Sequence, residues 1–403
     1  MIPINLFIFL SGTFLLTFLI GRGLEKIKIP WIFSALLIGA VLAWQNPFSA
    51  ITSSETFSFI SQLGMYFLLF IIGFEIDLKE MKKKAKLIMQ STLLMIVSGT
   101  ILGGLAIHFL FGTSWLISAL VALSFATVGE AILIPILDEF KIINTKLGQA
   151  IIGVGTFDDI FEVLVLVIIG MIIGTHPSSG INLSGNFLVL VSLFVLLLLT
   201  IFLIKLKNEG EKFHFSSVPS TFLFSLFILF LFLGVGLYAE SAALAALLSG
   251  ISLRTFMPKK RIKMIENEVK TMCYGFFAPI FFLSVGLTLD IKYIIAAPLT
   301  ILILIIVATI GKLFSGYITG KKELGTKGSI LFGIGLSVRF STSIIIIKIL
   351  FDKGLIKSPL FSAIVASSVV FTFVIPILFS KLLLKWKFAK DKNVTKRSNK
   401  KRS

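Results

Sequence analysis

The chain has 403 residues, 56% of them hydrophobic and 14% charged, with a net charge of +18 and a mean hydropathy of +1.02. Soluble domains are roughly 45–50% apolar and about 25% charged, so this composition excludes a water-soluble fold and sets the chain in a lipid bilayer. A single cysteine, Cys273, excludes an internal disulfide and a cysteine-cluster metal site.

Apolar runs of roughly 17–25 residues predict transmembrane helices. Taken in chain order they fall at 4–20, 29–45, 56–74, 87–111, 114–137, 147–174, 184–204, 217–238, 240–253, 271–289, 293–319, 328–350 and 358–380. The ninth is short for a span, and its separation from the eighth is the least marked boundary. The first run lacks a basic leader, so no cleavable signal is expected. His108, His176 and His214 lie near span ends or in loops without ligand spacing, and no cofactor is expected.

The basic residues encode topology. Six alternate loops (21–28, 75–86, 138–146, 205–216, 254–270, 320–327) and the tail from Lys381 hold 32 of the 38 Lys and Arg, whereas the intervening loops hold 3. The positive-inside rule then sets the N-terminus outside and the C-terminus in the cytoplasm of a multi-pass protein of the cell (inner) membrane. Nucleic acid is not an expected partner. The basic tail, 386–403, has no hydrophobic periodicity and is expected to lie solvated near anionic headgroups. Three cations remain inside spans: Lys312, Arg339 and Lys348. Lys348 is near enough to its helix end to snorkel outward.

A repeat is hidden in the hydropathy. "FLLFIIGFEIDL" at 67–78 and "FFLSVGLTLDIK" at 281–292 each end an apolar helix with Gly, three residues and Asp, offset by 213 residues. The same offset maps Ala126 onto Arg339 and Asp158 onto Phe371. The third and tenth spans are seven helix positions apart, an odd number, so the halves cross the membrane in opposite senses. Such an inverted-topology repeat is the plan of secondary transporters, whose binding site lies at the repeat interface between interrupted helices. Both interruptions are visible. The fifth span, "ALSFATVGEAILIPIL", contains Ser124, Thr127, Gly129, Glu130 and Pro135; its counterpart, "GIGLSVRFSTSIIII", contains Gly333, Gly335, Ser337, Arg339, Ser341, Thr342 and Ser343. The predicted fold class is an all-α polytopic membrane protein of about 13 transmembrane helices with two crossing discontinuous helices.

The sixth span reads "GVGTFDDIFEVLVL" and carries Asp158, Asp159 and Glu162, and Glu130 lies in the fifth. A charge at the bilayer centre costs from about 2.5 to well over 10 kcal/mol, so intramembrane ionisable groups are paired, cavity-facing and functional. Spacings of three and four set Glu162 near the helix face of both aspartates. Carboxylates this close cannot all ionise cheaply, so the site calls for a proton or a metal cation. A carboxylate neutralised by either can cross an apolar barrier, and competition for one site couples the two. Lys312 is a suitable counter-charge for one Asp.

These segments, together with "GLYAESAALAALLSGISL", "IGKLFSGYITG" and the acid pair followed by a later Lys, resemble the monovalent cation:proton antiporter-2 family of sodium/proton exchanger folds over about residues 5–380. The resemblance implies a homodimer of thirteen-helix protomers in which a core (87–174 and 293–380) moves against a dimerisation panel (4–74 and 184–289), all within a transmembrane domain 1–385. It further implies that Asp159 is the shared ligand for proton and cation, and that Asp158 pairs with Lys312. Glu130, Glu162 and "RFSTS" depart from the family pattern, and Glu130 is a candidate partner for Arg339 across the site. Family members that release potassium carry a nucleotide-binding domain after the last helix; this chain ends about 20 residues beyond its own, so no fused regulatory domain is expected.

The expected activity is exchange of a monovalent cation, Na+ first, for H+ across the bilayer, with Asp158 and Asp159 as ligands, Lys312 and Arg339 as counter-charges, and Thr127, Glu130 and Glu162 as accessory groups. K+/H+ exchange, another ion-coupled solute and a non-transporting ion sensor are the alternatives. No enzyme is expected: no phosphate-binding glycine loop is present, and adjacent Asp side chains diverge by about 100° on a helix, which is poor geometry for a protease dyad.

Overall fold

The computed structural model describes residues 5–26, 29–75, 86–143, 145–155, 157–158, 161, 183–206, 217–238, 241–339, 341–386 and 388. Among them the regular structure is helical throughout. The first half runs α1 (Leu6–Lys26), α2 (Phe33–Trp44), the single turn α3 (Ser49–Thr52), α4 (Glu55–Glu75), α5 (Lys86–Phe111), α6 (Trp115–Ala126), α7 (Glu130–Glu139) and α8, which begins at 146 and is described over 146–155 and 157–158. After α9 (Leu183–Lys205) come α10 (Val218–Leu237), α11 (Ala242–Phe256), α12 (Lys259–Met272), a π-helical turn (Cys273–Phe277), α13 (Ala278–Leu287), α14 (Ile291–Ala296), α15 (Pro298–Leu336), α16 (Ser341–Asp352) and α17 (Ser358–Lys385).

Among the described residues, seven stretches are long and apolar enough to cross a bilayer: α1, α4, α5, α10, Met264–Leu287, α15 and α17. Large apolar side chains such as Phe7, Leu15, Phe109, Phe202 and Leu223 point outward, as they do when hydrocarbon is the solvent. The protein is therefore a polytopic helical membrane protein.

The offset of 213 holds along the described chain. Added to α5 it gives 299–324, and α15 starts at Pro298 and turns at Gly325, where φ is +70°. Added to α1 it gives 219–239, against Val218–Leu237 for α10; added to α7 it gives 343–352, against Ser341–Asp352 for α16. The packing is reciprocal as well. α4 packs on α11, and α13, the mate of α4, packs on α2, the mate of α11. Both crossings are made by facing glycines: a Cβ on Gly250 would lie 2.2 Å from the Phe70 carbonyl oxygen, and one on Gly39 would lie 2.3 Å from that of Leu283. At the centre of the repeat, Ser98 Oγ donates to the carbonyl of Gly311, its own mate, at 3.2 Å.

Two packing groups emerge. α1, α2, α4 and α9–α13 contact one another; α5, α6 and α15–α17 form the other set, with α7 on α17 and α14 touching both α2 and α17.

Two predicted boundaries differ from the structure and a third is narrower than predicted. The basic segment 254–270, predicted as loop, contains α12, because Ile262, Ile265 and Val269 recur at helical spacing and are buried while its Lys and Arg depress the window average. The predicted loop 320–327 holds a reversal of the chain within α15: Gly325 takes φ +70° and ψ 174°, and Gly316 of the first arm packs against Gly333 of the second, so only the extent of the loop is shorter than predicted. The eleventh predicted span, from 293, is divided at Pro298 into α14 and α15, since proline restricts the residue before it to non-helical conformations. The predicted tail from 389 onward and part of the sixth span, 162–174, lie outside the described residues. Lys348 is 8% exposed and runs toward its helix end, where its ammonium meets the Asp352 carboxylate one turn on.

Candidate functional site

The fifth span breaks between α6 and α7. Ser124 Oγ donates to the Val121 carbonyl at 2.6 Å and Thr127 Oγ1 to the Ser124 carbonyl at 2.9 Å, so side chains take acceptors that the helix would otherwise use. Thr127 then turns to φ −58°, ψ 147°, outside the helical region. The peptide groups this frees have no water to turn to, and each of three finds a partner. The Thr127 carbonyl accepts from Lys312 Nζ at 2.5 Å, the Val128 N–H donates to Asp158 Oδ2 at 2.7 Å, and the Gly129 N–H donates to the Val338 carbonyl at 2.9 Å.

The second break separates α15 from α16. Ser337 Oγ donates to the Gly333 carbonyl at 2.9 Å, repeating the hydroxyl device of the first break. The Arg339 carbonyl accepts from Thr372 Oγ1 at 2.8 Å, and the Arg339 guanidinium carbon lies 4.6 Å from the centre of the Phe371 ring. Phe371 and Thr372 occupy, by the offset of 213, the positions of Asp158 and Asp159. Each half therefore steadies its broken helix from the same place on its last core helix, one with a carboxylate and the other with a hydroxyl and an aromatic face.

Asp158, Lys312 and Arg339 are buried, at 2%, 2% and 1% exposure, and Thr127 at 4%. The structure brings the first three and Thr127 together through residues 127–129 and 338. Glu130 opens α7 by its backbone; its side chain, and Asp159 and Glu162 entirely, lie outside the described residues. Sequence reasoning missed the backbone ligands, Val128 and Gly129 N–H and the Val338 carbonyl, which no residue type advertises. It also missed Thr372, although the offset pointed to that position.

Two discontinuous helices meeting at a buried carboxylate and ammonium, within an inverted repeat, define a secondary transporter. Residues 12–385 match the family described as sodium/hydrogen exchanger, transmembrane, and the chain belongs to that family. It is 28% identical over 371 residues to a Na(+)/H(+) antiporter of Enterococcus hirae, an alignment covering 88% of this chain and 92% of that one. It is likewise 28% identical over 380 residues to the probable Na(+)/H(+) antiporter 3 of Methanocaldococcus jannaschii, covering 91% and 94%. Among solved structures, the sodium proton antiporter MjNhaP1 of Methanocaldococcus jannaschii at pH 8 superposes with a TM-score of 0.65 at 16% identity, covering 93% of this chain and 98% of that one; this likeness bears on the fold.

Proposed function

We propose that the protein exchanges Na+ for H+ by alternating access, driven by the ion gradients alone. One observation carries the reading: the Thr127–Val128 peptide group, at the break of a membrane-spanning helix, is held between the Asp158 carboxylate and the Lys312 ammonium. A buried ion pair stabilises a fold poorly compared with apolar packing, so its retention here is better explained by transport than by architecture. Asp159, one residue along, is the shared ligand for proton and cation; Asp158 and Lys312 balance each other while Asp159 titrates, and Arg339 supplies a fixed positive charge across the second break. Thr127, Glu130 and Glu162 are accessory groups. The set of α5–α8 and α15–α17 moves against the other helices, and two protomers join through that second set, in the cell membrane with the N-terminus outside. The curated relatives at 28% identity, themselves called Na(+)/H(+) antiporters or probable ones, support the ion choice.

The test is flux in proteoliposomes with an internal pH dye and an imposed proton gradient. Pulses of Na+ are expected to dissipate the gradient, with Li+ and K+ as comparison ions, and both Asp158→Asn and Asp159→Asn are expected to abolish coupled movement. A gradient that none of the three cations dissipates, or Asp159→Asn protein with normal affinity, sinks the reading.

A further inference from the structure

A cavity of about 380 Å³ opens beside the C-terminal part of α1, far from the two helix breaks in sequence and built from different elements. Its apolar wall is Phe14, Phe18 and Pro279; its polar end carries Arg22 and Glu25, with Trp31 beside them. The π-helical turn makes the space. Such a turn inserts one residue and widens the helix locally, and at its middle Gly275 has no side chain to fill the gap: a Cβ there would meet nothing nearer than Thr271 Cγ2 at 4.0 Å.

Thr17 lines this cavity at 2% exposure, and its hydroxyl has no hydrogen-bond partner. The contrast with Thr13, one turn earlier, is direct, since Thr13 Oγ1 bonds the Phe9 carbonyl at 2.9 Å in the usual helical manner. A buried donor left unmade is costly; the hydroxyl oxygen is closed off in this rotamer, and a turn about χ1 brings it to an acceptor in the cavity that the residue lines. At 1.5 Å per residue, Thr17 lies about 7 Å deeper along α1 than Arg22, and Phe14 about 12 Å deeper.

We propose that this cavity binds one zwitterionic phospholipid with a primary amine in its headgroup, of the phosphatidylethanolamine type. Arg22, whose guanidinium carbon sits 5.6 Å from the Phe18 ring centre, takes the phosphate. Glu25, three residues on along the same face, accepts from the ammonium. Thr17 donates to a glycerol ester carbonyl, and an acyl chain lies along Phe14, Phe18 and Pro279. A purely anionic headgroup leaves Glu25 opposed rather than paired, and a quaternary ammonium has no N–H to donate to it.

The test uses full-length delipidated protein in detergent, with lipid retention read by native mass spectrometry and stability by thermal melting. Phosphatidylethanolamine is expected to stay bound at one per protomer and to raise the melting temperature more than equal amounts of phosphatidylglycerol or phosphatidylcholine. Arg22→Gln and Glu25→Gln are each expected to weaken retention about tenfold, and Gly275→Leu, which fills the cavity, to abolish it. Thr17→Val gives a sign that a merely structural role would not: the lipid-free protein melts higher, because the unmade donor is gone, while the lipid-dependent increment shrinks. Equal stabilisation by the three lipids, unchanged retention in the Arg22 and Glu25 variants, or the full increment from free phosphoethanolamine without chains would each overturn the assignment.

Discussion

Asp158 and Lys312 grip opposite ends of one peptide group: the carboxylate accepts the Val128 N–H at 2.7 Å, and the ammonium donates to the Thr127 carbonyl at 2.5 Å. The N–H and C=O of a trans peptide point to opposite sides, so the broken helix itself lies between anion and cation, and the peptide dipole is aligned with both. Any change of charge at Asp158 is thus transmitted to the backbone that has to move.

The first prediction weighs the two sides of this clamp. Asp158→Asn keeps an oxygen that can accept from Val128 N–H but leaves the Lys312 ammonium buried without its counter-charge, so coupled flux is lost and the protein is expected to melt below the wild-type temperature. Lys312→Ala strips the Thr127 carbonyl of a partner and leaves a buried carboxylate without its counter-charge, a loss of about 3–5 kcal/mol. The double variant Asp158→Asn with Lys312→Met is expected to be more stable than Lys312→Ala, because no unbalanced charge remains. Melting of the three variants in the same detergent checks the order; additive losses would refute the shared peptide clamp.

A second prediction concerns the other half. The Thr372 hydroxyl, with one hydrogen to donate, lies 2.8 Å from the Arg339 carbonyl oxygen and 2.9 Å from that of Ser368 and divides its donation between them. Thr372→Val keeps the shape and removes the donor, leaving a buried carbonyl short of a partner, worth about 1–3 kcal/mol. Thr372→Ser restores it. Exchange rate and melting temperature are expected to fall in the Val variant and recover in the Ser variant.

Much of this was legible in the sequence, for physical reasons that also explain the omissions. The offset between Gly73 and Gly286 was readable because close helix crossings tolerate only glycine, and a residue type forced by contact leaves a mark. Asp158, Lys312 and Arg339 stood out because charge inside lipid demands a reason. The ligands of the break did not, because Val128, Gly129 and Val338 contribute backbone atoms that every residue has. α12 was hidden for a different reason: a hydropathy window averages over Lys259, Lys260 and Arg261 and cannot see the buried stripe of Ile262, Ile265 and Val269.

A third prediction follows from the acid cluster. Glu162 lies one turn beyond Asp158 and Asp159 in sequence, where a carboxylate repels the ionised form of its neighbours. Glu162→Gln is expected to leave the maximal rate of exchange within a few-fold of wild type and to displace the pH profile of Na+-driven flux toward acid, since removing a neighbouring negative charge lets the remaining carboxylates lose protons at lower pH. A profile that stays in place, measured at saturating Na+, removes Glu162 from the site.

The last prediction tests the two glycine crossings as repeat mates. On Gly73, at the α4–α11 crossing, an added Cβ would lie 2.1 Å from the Leu247 carbonyl oxygen; on Gly286, at the α13–α2 crossing, it would lie 2.3 Å from that of Leu36. The obstacle in both cases is backbone, which cannot swing aside as a side chain does, so the helices have to separate and lose the packing that holds them in a bilayer lacking a hydrophobic drive for association. Gly73→Ala and Gly286→Ala are each expected to destabilise by about 1–3 kcal/mol, by similar amounts because the contacts are equivalent. Gly234→Ala is the control, since nothing lies within 4 Å of its added Cβ, and a helix-interior alanine there is expected to be neutral or stabilising. Melting temperatures of the three purified variants decide it: Gly73→Ala and Gly286→Ala should fall together while Gly234→Ala holds, and a fall confined to one crossing would break the equivalence of the halves.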